Sequence, residues 1–155
     1  MSTPLRRSDR AVSRQEALDY LNRAEVGFLA LANDNVPYVV PLHFARIGEV
    51  LYFHCSPVGR KLDMLAKNPY CSIAVSFLDG IKEGERACDY GTYYHSAVAF
   101  GKARIVEDTD EKITALNELT RKHATRAFVP VNAAGASTVT VMAINITELS
   151  GKARS

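Results

Sequence analysis

The chain has no tryptophan, and its three cysteines, Cys55, Cys71 and Cys88, form no Cys-x-x-Cys pair. That odd number and spacing exclude a complete intramolecular disulfide framework and the paired ligand spacings of a structural zinc site, so reduced thiols and no bound metal are expected. Long apolar runs are missing as well. Ala97 to Phe100 and Val139 to Ile144 fall well short of the roughly 20 residues a membrane-crossing helix needs. No apolar stretch follows the basic residues Arg6, Arg7 and Arg10, as a secretory signal would require. A cytoplasmic protein with no membrane partner is the expectation. The net charge of +2 leaves no general field for nucleic acid, and the three early arginines lack the interleaved aromatics of a strand-binding face, so no nucleic-acid partner is expected. Neither G-x-G-x-x-G nor G-x-x-x-x-G-K-[ST] occurs, which removes the two commonest nucleotide-binding fingerprints.

What is present is the composition of a globular protein, with 47% apolar residues in 155 and the charges spread along the chain. No internal repeat or long Gly/Pro/Ser stretch separates two cores. The chain reads as an N-terminal arm over 1–12, one domain over 13–150 and a C-terminal tail over 151–155.

Ser13, Arg14, Gln15 and Glu16 spell a capping box, so a helix of two to three turns should begin at Arg14 with Leu18 and Leu21 inward. From Val26 the texture changes to short apolar runs broken by turn residues, the mark of consecutive antiparallel strands. Phe28 to Ala32 is the first. Asn33, Asp34 and Asn35 suit a tight hairpin turn, and Pro37 to Ala45 returns as the second. Pro37 and Pro41 each lack a ladder donor, which places this strand at an edge, a bulge or a gap. Val50 to Cys55 follows, then a short helix over Arg60 to Lys67 and a strand from Cys71 to Phe77. Asp79 to Tyr94 is polar and aperiodic and reads as a long connection and lid candidate. Ser96 to Val106 is a long strand, the acidic run from Asp108 starts a third helix, Phe128 to Gly135 reads as a loop, and Thr138 to Ile146 alternates as a last strand. Six strands and three short helices argue for a mainly β, antiparallel Greek-key barrel, closed or partly closed.

The most informative segment runs from Tyr52 to Lys61 and joins a strand to a helix start. Arg60 and Lys61 oppose the positive end of the helix dipole by about 0.3–1 kcal/mol each, a conflict that a bound anion resolves. Gly59 lets the backbone approach such an anion, Ser56 offers a hydroxyl, and free helix-start N–H groups favour phosphate. The alternative is a solvated basic patch relieved by Asp63. His54 ends the strand close to these cations and is the candidate for chemistry, the alternative being a half-exposed strand histidine. His95 is a weaker candidate, Cys88 a candidate redox thiol, and Tyr90, Tyr93 and Tyr94 are candidates for stacking on a planar ligand.

Phe53 to Lys61 resembles the phosphate-binding segment of the pyridoxamine 5'-phosphate oxidase superfamily, with Arg60 and Lys61 matching, Gly59 in place of a serine, and Cys55 and Ser56 in place of a Thr-Asn pair. The ordered set Pro37 to Leu42 (PYVVPL), Leu51 to His54 (LYFH), Gly59 to Lys61 (GRK), Ala87 to Thr92 (ACDYGT) and Phe100 to Asp108 (FGKARIVED) is similar to the nitroimidazole-resistance branch of that superfamily. The likeness extends from about Arg7 to Lys152. It implies a six-stranded split barrel that forms a homodimer, with FMN in clefts between the protomers. It also implies that Arg60 and Lys61 hold the phosphate, that Val39, Val40 and Pro41 border the flavin ring, and that Ser96 lies near the cofactor.

The implied activity is FMN-dependent reduction of a small planar acceptor such as a nitroaromatic, with His54 or water as proton source. The alternative is a flavin or haem carrier on the same barrel. Vitamin B6 oxidation is disfavoured, because true oxidases of the superfamily carry tryptophans and a C-terminal strand with substrate-binding Arg and His, whereas this chain has no Trp and runs Glu148, Leu149, Ser150, Gly151, Lys152.

Overall fold

The Glu16 N–H donates to the Ser13 hydroxyl at 3.2 Å, and the Ser13 N–H donates back to the Glu16 carboxylate at 2.9 Å. This reciprocal cap starts α1 (Arg14–Arg23) where the sequence places it. The computed structural model describes residues 5–155; the first four residues of the expected arm lie outside the described residues. Helix α1 buries Ala17, Leu18 and Leu21 against the sheet that follows.

The strands are β1 (Val26–Asn33), β2 (Val36–His43), β3 (Ala45–Ile47), β4 (Val50–Cys55), β5 (Tyr70–Lys82), β6 (Gly91–Ile105) and β7 (Thr140–Arg154). Helix α2 (Arg60–Lys67) follows β4, while α3 (Thr109–His123) and α4 (Ala133–Ser137) lie between β6 and β7. At the first hairpin Asp34 and Asn35 have φ of 49° and 62°, the paired left-handed residues whose twist suits a two-residue connection. All neighbouring strands are antiparallel, in the order β2-β1-β5-β6-β7-β4-β3. The architecture is mainly β with short helices, an open sheet of the split-barrel type. Among the described residues no helix is long and apolar enough to cross a membrane.

Seven strands appear where six are expected, because the strand expected over Pro37 to Ala45 breaks at Phe44. Inward and outward residues alternate along β2, but Phe44 and Ala45 are both buried in succession, so the chain must turn between them. The outermost strands β2 and β3 are thus two halves of one segment. Pro37 and Pro41 fall on an edge strand, as expected.

Asp79 to Tyr94 is not a lid. Beyond a bulge at Leu78/Gly80, the pairs Gly80↔Tyr93, Ile81↔Thr92 and Lys82↔Gly91 extend the β5–β6 ladder, leaving a connection over 83–90 that contains a short 3-10 turn at Ala87–Asp89. A two-strand ribbon with water on both sides has no apolar alternation, which is why its sequence looks irregular. Likewise β7 runs past Ile146 to Arg154, and Gly151–Arg154, expected as a tail, pair with β6. Ala11 of the expected arm bridges Lys152, and the Val12 N–H donates to the Gly151 carbonyl at 3.2 Å. The loop expected over Phe128 to Gly135 gives way at Ala133 to α4, whose Gly135 N–H donates to the Asn132 side chain.

Two apolar clusters form the interior. The larger contains Leu29, Phe44, Phe53, Ile73 and Ala99; the smaller, under α3, contains Tyr52, Val106, Ala115, Val141 and Ala143. Strand β4 divides them, sending Phe53 one way and Tyr52 the other.

Candidate functional site

The period of two along β4 decides where the neighbouring side chains go. Phe53 and Cys55 face the main core, and the Lys61 ammonium lies 5.1 Å from the centre of the Phe53 ring. Burial pushes the Cys55 thiol up, with Lys61 pulling the other way. Arg60 lies over Tyr38 of β2, its guanidinium carbon 4.8 Å from the ring centre. Among the described residues neither cation is ion-paired. Gly59 enters α2 with φ of 138°, nothing lies within 4 Å of where its Cβ would stand, and no side chain caps the helix. The Ser56 hydroxyl oxygen accepts from the Val58 N–H at 3.4 Å, which leaves its own hydrogen free to donate. The result is an open, uncapped helix start with two free cations, a donor set that fits a phosphate group.

The other expected binding residues occupy a different face. Val39 and Pro41 are exposed on β2 and sit opposite Ala30 and Phe28. The ladder carries that outer face through Ala74 to Val98 and through Ser72 to Phe100. Ser96 is on it too, paired with Ser76 and Lys152. Val40, paired with Leu29, packs against the core instead. Within one protomer, therefore, Ser56, Arg60 and Lys61 form one group, and Val39, Pro41 and Ser96 belong to another.

His54 does not share a face with Lys61. Like Tyr52, whose hydroxyl donates to Glu111 of α3 at 2.8 Å, it faces α3. There it lines a cavity of about 430 Å³ with two histidines that no sequence motif marks, His43 at the end of β2 and His123 at the end of α3. The His43 and His123 rings meet edge to face at 4.7 Å, and the His43 Nδ1 lies 3.0 Å from the Glu25 carbonyl oxygen, to which it donates. Burial, then the His43 and Lys122 charges, hold His123 below the usual imidazole range. Lys122 itself is lowered to about 8, by burial and then by Arg46. Sequence spacing offers no signal for this cluster, because its members come from elements far apart in the chain.

His95 points to the opposite side of β6 from Ser96. It stacks on Phe77 at 4.4 Å, meets Tyr20 at 4.7 Å, and places Nδ1 2.7 Å from the Asp79 carboxylate. It fastens α1 to the β5–β6 ribbon. Cys88 and Tyr90 are exposed on the connection over 83–90, apart from both groups. Tyr93 carries the Arg154 guanidinium 5.9 Å from its ring centre, and Tyr94 pairs with Arg154 in the ladder.

Residues 13–153 match the family described as pyridoxamine 5'-phosphate oxidase, which is nearly the whole folded unit. The chain belongs to this family. The oxidase-family fold recurs in a protein of Bacteroides thetaiotaomicron assigned to 5-nitroimidazole antibiotic resistance, at 28% identity and a TM-score of 0.78 over 92% of this chain and 85% of that one. A protein of Mycobacterium smegmatis described as binding FAD and haem is similar at 25% identity and a TM-score of 0.79, over 91% of this chain and 71% of that one. A curated relative, an uncharacterized protein of Rhizobium meliloti, is 33% identical over 67 residues, which is 43% of this chain and 44% of the relative's own length. The family therefore has flavin-binding structural neighbours.

Proposed function

We propose that this chain is a cytoplasmic flavoprotein that holds FMN between two copies of itself and reduces a small planar acceptor of the nitroaromatic kind. The observation that carries the reading is the pair Arg60 and Lys61, free of carboxylate partners at the uncapped start of α2 and backed by the rings of Tyr38 and Phe53. A dianionic phosphate would relieve the unfavourable position of both charges at that helix end.

A cleft between protomers would also reconcile the two separated groups of residues, since Val39, Pro41 and Ser96 could then meet the cofactor from a face the cations do not share. That outer face has apolar side chains to cover: Phe28 is 50% exposed, Val39 57% and Phe100 47%, close together in the ladder. A contiguous patch of this kind suits a second copy better than water.

When bound, the flavin supplies the hydride-transfer chemistry. Arg60, Lys61 and Ser56 anchor the phosphate, and Val39 with Pro41 presents an apolar edge that keeps water from the ring. With His54 across β4 from Lys61, water would supply the accompanying proton within one protomer, and a cleft shared with a second copy would leave His54 as the other source. A second reading, a flavin carrier without turnover, has one observation in its favour. Cys55 is the one titratable side chain that β4 itself turns toward Lys61, and burial raises its thiol, so β4 offers no ready nucleophile beside the cations.

Flavin titration tests the proposal. FMN is expected to bind the purified protein with the absorbance of a flavoprotein. In the double variant Arg60→Ala, Lys61→Ala, FMN should bind on the order of 100-fold or more weakly while riboflavin changes little, given about 1.5–3 kcal/mol for each charged hydrogen bond. No FMN binding, or equal losses for both flavins, overturns the phosphate assignment. Turnover of a nitroaromatic with reduced nicotinamide separates reductase from carrier.

A further inference from the structure

Along β7 the outward side chains carry charge in a definite order. Leu149 packs on the core and Gly151 lies against Ala17 and Val12, so the period of two sends Glu148, Ser150 and Lys152 to the outer face. Glu148 and Lys152 thus stand two residues to either side of Ser150 with opposite charges. Four residues of strand hold them about 13 Å apart, too far to meet within one protomer. Among the described residues neither is ion-paired. An acid and a base spaced evenly about a small neutral residue complement themselves. A second copy turned end over end about Ser150 brings its base to this acid and its acid to this base.

The rest of the face admits such a copy. In the ladder Ser150 sits beside Val98, Val98 beside Ala74, and Ala74 beside Phe28. The rows on either side bring Ser72 and Phe100 next to Glu148, and Ser76 and Ser96 next to Lys152. Small side chains through the middle of the face let two sheets approach to their ordinary spacing of about 10 Å. Exposed Phe28 and Phe100 supply the apolar area that closes around them. The charges also orient the two-fold axis. An axis along the strands over β7 would set Glu148 on its own counterpart and Lys152 on its own, and like charges in contact oppose association. The same axis over β6 would set Glu148 on the partner's Ser72 and leave it unpaired. An axis across the strands, along the row through Ser150, gives each carboxylate an ammonium and sets Phe28 against its counterpart.

We propose that two copies of this chain pack outer face to outer face about a two-fold axis at Ser150, with Glu148 of each paired to the partner's Lys152. This rests on the reading of that face as a contact between copies, and adds which residues cross it and in what register.

Sedimentation equilibrium of the full chain, with and without FMN, is the test. The parent is expected to be a dimer at micromolar concentration, weakened by added salt. Glu148→Lys and Lys152→Glu should each weaken the dimer by about tenfold or more, since each sets like charges together at both ends of the contact. The double reversal should return the affinity to within about threefold of the parent. A second measurement does not depend on those variants. In a Cys88→Ser background, Ser150→Cys should be joined by a short bismaleimide into a covalent dimer. Thr92→Cys should not, because this exposed position lies six residues along β6 from Val98 and hence about 40 Å from its counterpart. A monomeric parent, its face left to some other partner, overturns the proposal together with the shared cleft. A dimer that binds FMN but ignores both single reversals, is not rescued by the double reversal, or links through Thr92→Cys and not through Ser150→Cys overturns the axis and leaves the cleft standing.

Discussion

Arg60 is braced against Tyr38: the guanidinium carbon lies 4.8 Å from the ring centre, which ties the start of α2 to the edge strand β2. The contact holds a flexible cation in one place beside the strand proposed to border the flavin. A cation–π contact at a partly exposed site contributes about 0.5–1 kcal/mol. Tyr38→Leu should therefore weaken FMN by about two- to fivefold and leave riboflavin nearly unaffected, as measured by fluorescence quenching. An equal effect on both flavins would mean that Tyr38 acts on the ring and not through Arg60.

Lys122 makes the stability of the fold depend on alkaline pH. Its ammonium lies 4.0 Å from the Phe44 ring centre and donates to the Leu21 carbonyl, and burial lowers it from 10.5 to about 8. Between those values the unfolded chain binds the proton more tightly than the folded one, so unfolding free energy rises with pH across that window. Below about pH 8 the penalty is fully present. The buried Cys71 thiol, pushed up to about 11, acts in the opposite sense above pH 9, so the effect of Lys122 is read as a difference: urea unfolding at pH 7.5 and pH 10 should show the parent gaining stability relative to Lys122→Met.

Tyr52 ties β4 to α3 through one hydrogen bond to Glu111, which the Arg104 guanidinium also holds, at 2.5 Å. Burial, then that bond, push the Tyr52 hydroxyl up to about 12. Tyr52→Phe leaves Glu111 with Arg104 and should cost about 1 kcal/mol. Glu111→Ala strands the Tyr52 hydroxyl as well as the guanidinium and should cost more. Chemical denaturation of both variants checks the order.

Gly101 occupies the β6–β7 bulge, where an added Cβ would stand 2.2 Å from the Asn145 carbonyl oxygen. Backbone cannot yield as a side-chain tip can. Gly101→Ala should destabilise by about 2 kcal/mol or more, among the larger effects expected of a single methyl group. A melting temperature within a degree of the parent would show that the bulge adapts.

The sequence revealed elements where the local chemistry was self-sufficient. The Ser13–Glu16 cap, the Asp34–Asn35 turn and the limits of β4 and α2 all fall where the residues place them, because each rests on contacts within a few positions. The far end of the β5–β6 ribbon was hidden because ladder pairing holds it and no burial imprints a period on its side chains, and the end of β7 because its contacts, Leu149 on the core and Gly151 against Ala17 and Val12, lie with residues distant in the chain. The same distinction governs the candidate sites. Arg60 and Lys61 were legible as a helix-start conflict. That His54 would join His43 and His123 depended on which way β4 presents its even-numbered residues, and on a helix about 60 residues later in the chain.

The chain reversal at Phe44 has a bearing on solubility. Both rims of the ribbon of strands are cut from the single stretch 36–47, and neither invites a stranger to zip on: prolines at 37 and 41 strip amide hydrogens from one rim, and the other is only three residues long. Were a second copy to cover the apolar flank, as proposed, the strand borders would still be closed to uncontrolled growth.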